Sequence, residues 1–510
     1  MQTAKRVAVN TGFLYARMAI TVFISLYATR LILNALGAAD FGLFNVIGGA
    51  IVMLTFLNNA MASSTQRYMS FAQGEGNTEK QKSIFNVSII LHFIIAILVV
   101  LLLEVAGYFF FKGIFNIPAD RIDVAKLIFQ FLLISTFFTI ISVPYDAVIN
   151  AHENMFLVAV LGIIEAVLKL AIAIYITNTT FDKLIAYGFL MTLLSILLLI
   201  MRRIYCHRKY LEVKINLKKY ISKPLFIEMT HFAGWSFLGS ASSMISNYGQ
   251  GIVMNMFFGT LVNAAQGIAN QVSGQLGAFA STMIKALNPL IAKSEGSGNR
   301  ELMIKASMMG SKVSFFLLMF FYIPVLIEMP FIFKLWLKVV PENAQIFCTL
   351  LLIRMLIEQL FITLTSSIAA VGKIKRFQLY NSILNFSPLI AGFLLFKIGY
   401  PPYFIYIVFI IYSILNSVII LHFARKDCSL SILFFFKNVI SRCLVAFFIT
   451  IIISASPIFL MDEGIERLII VIGINTIIFT ISVLVIGLSR SERLNILSMV
   501  KIEPEKKEIL

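Results

Sequence analysis

Apolar residues gather in fourteen runs of roughly 20 to 28 residues that fill almost the whole chain. The runs cover 8–36, 41–65, 84–111, 124–150, 155–177, 184–201, 231–258, 264–290, 311–335, 346–371, 377–398, 402–424, 438–461 and 468–488. About 20 apolar residues in a helix cross a bilayer core, and in hydrocarbon only a helix or a closed barrel satisfies its own backbone. The runs are too long for barrel strands and do not alternate polar with apolar. They predict an all-α polytopic membrane protein with fourteen transmembrane helices and essentially no soluble domain.

Three of the runs carry polar stripes at helical spacing. In the seventh, Ser236, Ser240, Ser243, Asn247 and Gln250 recur every three or four residues and share one face. The eighth has Asn263, Gln266, Asn270, Ser273, Gly277, Ser281, Lys285 and Asn288, and the second has Asn45, Gly48, Thr55, Asn59 and Ser63. Small and amide residues can serve close helix packing. Three stripes on related helices point instead to a water-filled cavity. The relation is a weak internal repeat offset by roughly 220–225 residues. Gly42-Leu43-Phe44-Asn45 matches Gly267-Ile268-Ala269-Asn270, and Gly74-Glu75-Gly76-Asn77 has its counterpart in Glu295-Gly296-Ser297-Gly298-Asn299. The turn after Pro144-Tyr145-Asp146-Ala147 matches that after Ser366-Ser367-Ile368-Ala369. Six helices per copy predict two parallel, pseudo-symmetric six-helix lobes around a central cavity, with two extra C-terminal helices. The expected divisions are a lobe over 1–205, a basic cytoplasmic linker over 206–230, a lobe over 231–424, helices thirteen and fourteen over 425–488, and a cytoplasmic tail over 489–510.

Charge orients this arrangement. Of the 42 Lys and Arg, 27 fall in the N-terminus, the even-numbered turns and the tail, against 5 in the odd-numbered turns. By the positive-inside rule both termini face the cytoplasm. The net charge of +17 is then largely a topology feature, aided by anionic lipid, and not a nucleic-acid footprint. Lys5 and Arg6 precede an apolar run too long for a signal-peptide core, so the first helix is expected to remain as an anchor. Cys206, Cys348, Cys428 and Cys443 lack paired or metal-ligand spacing, so neither a disulfide nor a metal site is expected.

Charges within the runs are the candidate chemistry, because each costs at least about 2.5–3.5 kcal/mol at mid-membrane unless it pairs or lines a cavity. Glu165 and Lys169, and Arg354 and Glu358, are spaced to pair along one helix, while Asp146 and Glu328 stand apart. Arg17, Arg30 and Lys285 have no local partner and are candidate ligands for an anion, with Lys169 and Arg354 as further cavity cations. Arg30 can alternatively snorkel to the interface. Glu165, Asp146 and Glu358 are candidates for ion coupling. Phosphate-loop, H-E-x-x-H and G-x-S-x-G motifs are all missing, so enzyme activity is not expected, and no cofactor is.

The segments Leu36-Gly37-Ala38-Ala39-Asp40-Phe41-Gly42-Leu43-Phe44-Asn45 and Pro144-Tyr145-Asp146-Ala147-Val148-Ile149-Asn150-Ala151-His152-Glu153 resemble the Wzx-type O-antigen flippases. These belong to the polysaccharide branch of the multidrug/oligosaccharidyl-lipid/polysaccharide (MOP) exporter superfamily, and the overall pattern covers nearly the full chain. The resemblance implies a MATE/MOP-like fold in a bacterial inner membrane. It also implies flipping of an undecaprenyl-pyrophosphate-linked oligosaccharide by alternating access. Implied partners are that lipid-linked sugar, membrane lipids and glycan polymerase machinery, with no nucleic acid. The related lipid II flippase carries arginines on its first helix, as Arg17 and Arg30 are here, and a lipid groove on its last two. A small-molecule or multidrug antiporter of the same superfamily and a non-transporting glycan-assembly protein are the alternatives.

Overall fold

The computed structural model describes residues 2–54, 56–114, 119–336, 340–490 and 492–493. These residues form α1 (Gln2–Leu54), α2 (Phe56–Glu75), α3 (Thr78–Phe109), α4 (Ile122–Ala151), α5 (Met155–Asn178), α6 (Lys183–Lys209), the short α7 (Leu217–Tyr220), α8 (Lys223–Phe258) and α9 (Thr260–Gly296). There follow α10 (Arg300–Trp336), α11 (Ala344–Gln359), α12 (Ile362–Val371), α13 (Ile374–Lys397), α14 (Phe404–Cys428), α15 (Ile432–Phe435), α16 (Ser441–Ser454) and α17 (Ile465–Ser482). No strand occurs among the described residues. The helices α6 and α8 run into the basic stretch after the sixth apolar run, so the link between them is shorter than the sequence pattern suggests.

Among the described residues, ten helices are long and apolar enough to cross a membrane, or eleven if α11 and α12, bent by 41° at their break, count as one. The predicted spans outside this set are the second, seventh and eighth, which fall on the end of α1 with α2, on α8 and on α9. These are the three that carry the polar stripes. The residues that suggest a cavity are also the ones that lower the hydropathy of their helices.

Backbone features recur at one offset. The helix α1 breaks at Gly37 (φ 77°) and α8 ends at Gly259 (φ 75°), 222 residues later. Gly76 and Gly298, also 222 apart, take φ of 69° and 74° in the turns that follow α2 and α9. This left-handed region strains any side chain, which explains glycine at these turns. The next residues cap the following helices alike. Asn77 accepts from the Lys80 amide and Asn299 from the Leu302 amide, both at 3.0 Å.

Turns segregate by charge to two ends. At the basic end, Lys293 lies 3.5 Å from Glu153, His152 meets Glu212 at 2.5 Å and Asn86 donates to the Lys214 carbonyl at 2.8 Å. At the other end, Arg121 bridges Asp40 and Asp182, and Lys334 reaches Glu463 at 2.6 Å. Even-numbered turns thus meet one another and odd-numbered turns do likewise. Within the first half α1 packs on α5, and α4 on α3 and α6. Within the second, α13 packs on α8 and α14, and α9 on α10 and α11. The halves join through α2, which lies on both α8 and α9, while α16 and α17 are applied to α10. Between Pro324 and Pro330, α10 loses helical geometry at Glu328, because a proline removes an amide donor and crowds the preceding turn.

Candidate functional site

The second half encloses a polar cavity of about 370 Å³. Each wall helix contributes a pair three or four residues apart: Ser243 and Asn247 from α8, Asn270 and Ser273 from α9, Asn381 and Asn385 from α13, Ser413 and Asn416 from α14. Arg354 and Glu358 enter from α11, paired at 2.8 Å. Ser413 donates to the same Glu358 carboxylate at 2.7 Å, and the Arg354 guanidinium lies over the Phe409 ring at 4.5 Å. Arg354 is 11% exposed at its side chain, so carboxylate and aromatic face together offset its desolvation. Asn385 donates to the Ser242 hydroxyl at 2.8 Å and accepts from the Tyr412 hydroxyl, which fixes its amide. The buried Asn381 Oδ1 and Asn416 Oδ1 accept no hydrogen bond among the described residues.

A smaller cavity of about 220 Å³ lies where the halves meet. Ala60 and Ser63 of α2 face Ser236 and Ser240 of α8, with Ser366 and Gln378 beyond. Ser366 donates to Asn288 Oδ1 at 2.8 Å, and Thr365 lines both cavities. The stripe of α8 therefore divides, its start facing the seam between halves and its middle facing the larger cavity.

The predicted residues fall in three groups. Asn247, Asn270, Arg354 and Glu358 converge on the large cavity, and Ser240 on the small one. Gln250 is buried, Gln266 is buried against Gly251 of α8, and Ser281 is exposed with its hydroxyl on the Ala278 carbonyl. The side chains of Asn45 and Asn59, and residue Thr55, lie outside what the structure describes. The charged pairs of the first half are engaged: Glu165 with Lys169 at 2.7 Å, and Asp146 with Arg202, also at 2.7 Å, an ion pair without hydrogen-bond alignment at Arg202 Nε. Glu165 is near enough for its charge to act on Asp146. Arg17 lies against Gly162 of α5, where an added Cβ would overlap its guanidinium. Lys285 is exposed on α9, and Arg30 is exposed and lines none of these cavities. Arg17, Arg30 and Lys285 have no hydrogen-bond or ion-pair partner among the described residues. The helices carrying Arg17 and Lys285 pack together, since the Tyr15 hydroxyl donates to the Phe279 carbonyl at 2.8 Å.

The cavity residues of α13 and α14 were missed in the sequence. Their signature was present as Asn381/Asn385 and Ser413/Asn416/Ser417, short polar sets at helical spacing inside apolar runs. Arg202 as partner of Asp146, and Arg467 as partner of Glu328, carried no local signature.

No protein-family model and no curated protein matches the chain. Solved structures do. A crystal structure of MATE in the straight conformation has a TM-score of 0.70 at 13% identity, covering 83% of this chain and 96% of its own. A multidrug resistance MATE family transporter of the MOP superfamily, in its outward-facing conformation, has a TM-score of 0.70 at 12% identity, covering 83% and 95%. A MOP superfamily transporter from Pyrococcus furiosus, described for the reverse polarity of its binding pocket, has a TM-score of 0.67 at 13% identity, covering 82% and 95%. The chain has a MATE-like fold.

In this MATE-like fold the halves are sealed at the basic end. A Cβ added to Gly74 would meet the Lys293 carbonyl oxygen at 1.9 Å, and one added to Gly296 would meet that of Phe71 at 2.0 Å. The repeat-related ends of α2 and α9 thus cross backbone to backbone, through the glycines that permit it. Arg67 donates to the Ala370 carbonyl at 2.8 Å, Tyr68 to Glu228 at 2.9 Å, and Asn10 to the Glu153 carbonyl at 3.0 Å. Each of these bonds links the two repeats or anchors the N-terminal helix beside them.

Proposed function

We propose that this protein is a flippase that moves an undecaprenyl-pyrophosphate-linked oligosaccharide, the unit of O-antigen or another surface polysaccharide, across a bacterial inner membrane by alternating access. The observation that carries this reading is that Arg17 and Lys285, on helices of opposite halves that pack together, are cations with no hydrogen-bond or ion-pair partner among the described residues. A pyrophosphate needs such charge, and a guanidinium suits it with paired donors. Cavities walled by amides and hydroxyls suit a sugar chain. On this reading the chain has fourteen spans and cytoplasmic termini. The three stripe helices also cross the membrane, because a face turned to water needs no apolar cover. The solved relatives leave about a sixth of this chain uncovered, close to the length of 425–510, and the last two helices would guide the polyprenyl tail. Glu358, Glu165 and Asp146, each held by one cation, are the candidate coupling groups.

A second reading is a small-molecule antiporter, favoured by the multidrug transporter among the structural relatives and by Glu358 in the larger cavity. The deciding experiment complements a null strain with Arg17→Ala/Lys285→Ala and measures surface glycan, membrane protein level and drug tolerance. The flippase reading expects glycan lost at normal protein level, with partial rescue by Arg17→Lys. Full glycan display by the double variant would exclude these two residues as a pyrophosphate clamp. Loss of drug tolerance alone would establish the antiporter.

A further inference from the structure

A groove of about 390 Å³ lies on the outer surface of the second half, between α13 and α14 at the basic end. Arg376 and Tyr380 stand one turn apart on α13, and Val418, His422 and Lys426 follow at the same interval on α14. Both helices have the cations on the turn nearest the basic end and apolar or aromatic groups one or two turns deeper. Phe423 forms the floor, buried and in ring contact with Phe377, Tyr380 and His422. Arg376 and Lys426 make no ion pair or hydrogen bond among the described residues, and no acidic residue lines the groove. Tyr380 and Val418 are 59% and 61% exposed, so the deeper tier is open to the surroundings of the helix bundle.

Two cations unneutralised at the end of a span, above an apolar seat of ligand-pocket size, call for an occupant that is anionic at one end and hydrocarbon at the other. We propose that this groove binds an anionic phospholipid, with the phosphate between Arg376 and Lys426 and the first segment of an acyl chain along Val418 and Ile419 over Phe423. The site is separate from the transport cavities. Asn381, Asn385, Ser413 and Asn416 of those cavities are on other faces of the same two helices, so a lipid here braces the outer side of the cavity wall. The assignment does not depend on which substrate the cavities carry.

Native mass spectrometry of the full chain, titrated with phosphatidylglycerol and separately with phosphatidylcholine, tests it. The wild-type chain retains phosphatidylglycerol preferentially. Removing two charges in Arg376→Ala/Lys426→Ala weakens that binding about thirtyfold, taking roughly 1 kcal/mol per cation. Val418→Trp, which fills the apolar seat and keeps both charges, weakens it as well. A Lys218→Ala/Lys219→Ala control, which removes the same charge from the basic surface elsewhere, leaves it unchanged. Undiminished phosphatidylglycerol binding by the Arg376/Lys426 variant overturns the proposal, as does an equal loss in the control. Displacement of the lipid by free glycerol phosphate, together with normal binding by Val418→Trp, would make this a phosphate site and overturn the lipid assignment. Both mutated cations are exposed, so equal melting temperatures for variant and wild type are the check on folding.

Discussion

Arg467 and Glu328 show how much one pair of side chains can decide. Glu328 is fully buried at the break in α10, and Arg467 of α17 grips both its oxygens at 2.8 and 2.9 Å, while also donating to the Met461 carbonyl. From sequence Glu328 is a lone membrane charge, and Arg467 is one of the few basic residues in an odd-numbered turn. Their pairing across 139 positions is invisible to local spacing. Removing one partner strands the other, which costs about 3–5 kcal/mol, whereas replacing both with well-packed apolar groups is often neutral. Arg467→Ala should therefore lower the melting temperature of the detergent-solubilised protein sharply. The Arg467→Met/Glu328→Leu double variant should recover most of the loss. Equal melting of Arg467→Ala and wild type would show that the pair does not fix α17 on α10.

At the scale of elements, the crossing of α2 and α9 brings the two halves together backbone to backbone. Gly296→Ala would drive a methyl group into the Phe71 carbonyl, which cannot yield without separating the helix ends. We expect this variant to favour conformations open at the basic end. The check is faster modification of a cysteine introduced at Ser240, in the cavity between the halves, by a reagent applied from that side. Unchanged reactivity would mean that the glycine crossing does not hold the seal. The described residues just past the last helix make a second such contact. Lys312 of α10, only 1% exposed, reaches Glu492 at 2.6 Å beyond the last helix. Burial pushes the Glu492 carboxyl up, but the Lys312 ammonium and the Ser489 donors outweigh it and hold the group below the ordinary carboxylate range. A depressed folded value stabilises docking above the unfolded value of about 4.3, and that contribution fades as pH falls through the lower folded value. Protease resistance of the tail should be flat from about pH 7 to pH 5 and should drop below about pH 4. In Lys312→Ala the tail should be cleaved at every pH. A tail equally resistant in that variant would remove Lys312 as its anchor.

For the molecule as a whole, the segregation of basic turns to one end makes topology the most direct prediction. All four native cysteines are buried, so labelling of introduced ones reads cleanly. Thr180→Cys and Glu301→Cys should react from opposite sides of the membrane, with Glu301→Cys accessible from the cytoplasm. Reaction of both from one side would break the fourteen-span reading. The same scale shows how the cavities arise. The stripes of α8 and α9 are one wall, and their opposite walls come from α11, α13 and α14, whose polar residues are few and widely spread in sequence.

Helical class, membrane residence and the alternation of turns were determined by the sequence alone, because hydrophobic run length and charge placement are local quantities set against a bilayer of fixed thickness. The repeat was legible too, since the glycines at 74, 76, 296 and 298 sit where backbone conformation or close approach tolerates little else. Spacing along one helix was enough to anticipate Glu165 with Lys169 and Arg354 with Glu358. Only the tertiary structure decided that Asp146 meets Arg202, that Glu328 meets Arg467, that Gln250 and Gln266 are buried while Asn247 and Asn270 line a cavity, and that Arg17 and Lys285 find no ion-pair partner among the described residues. Each of those outcomes turns on which faces of distant helices are brought together, and a side chain's own sequence neighbours carry no record of the helix it will meet.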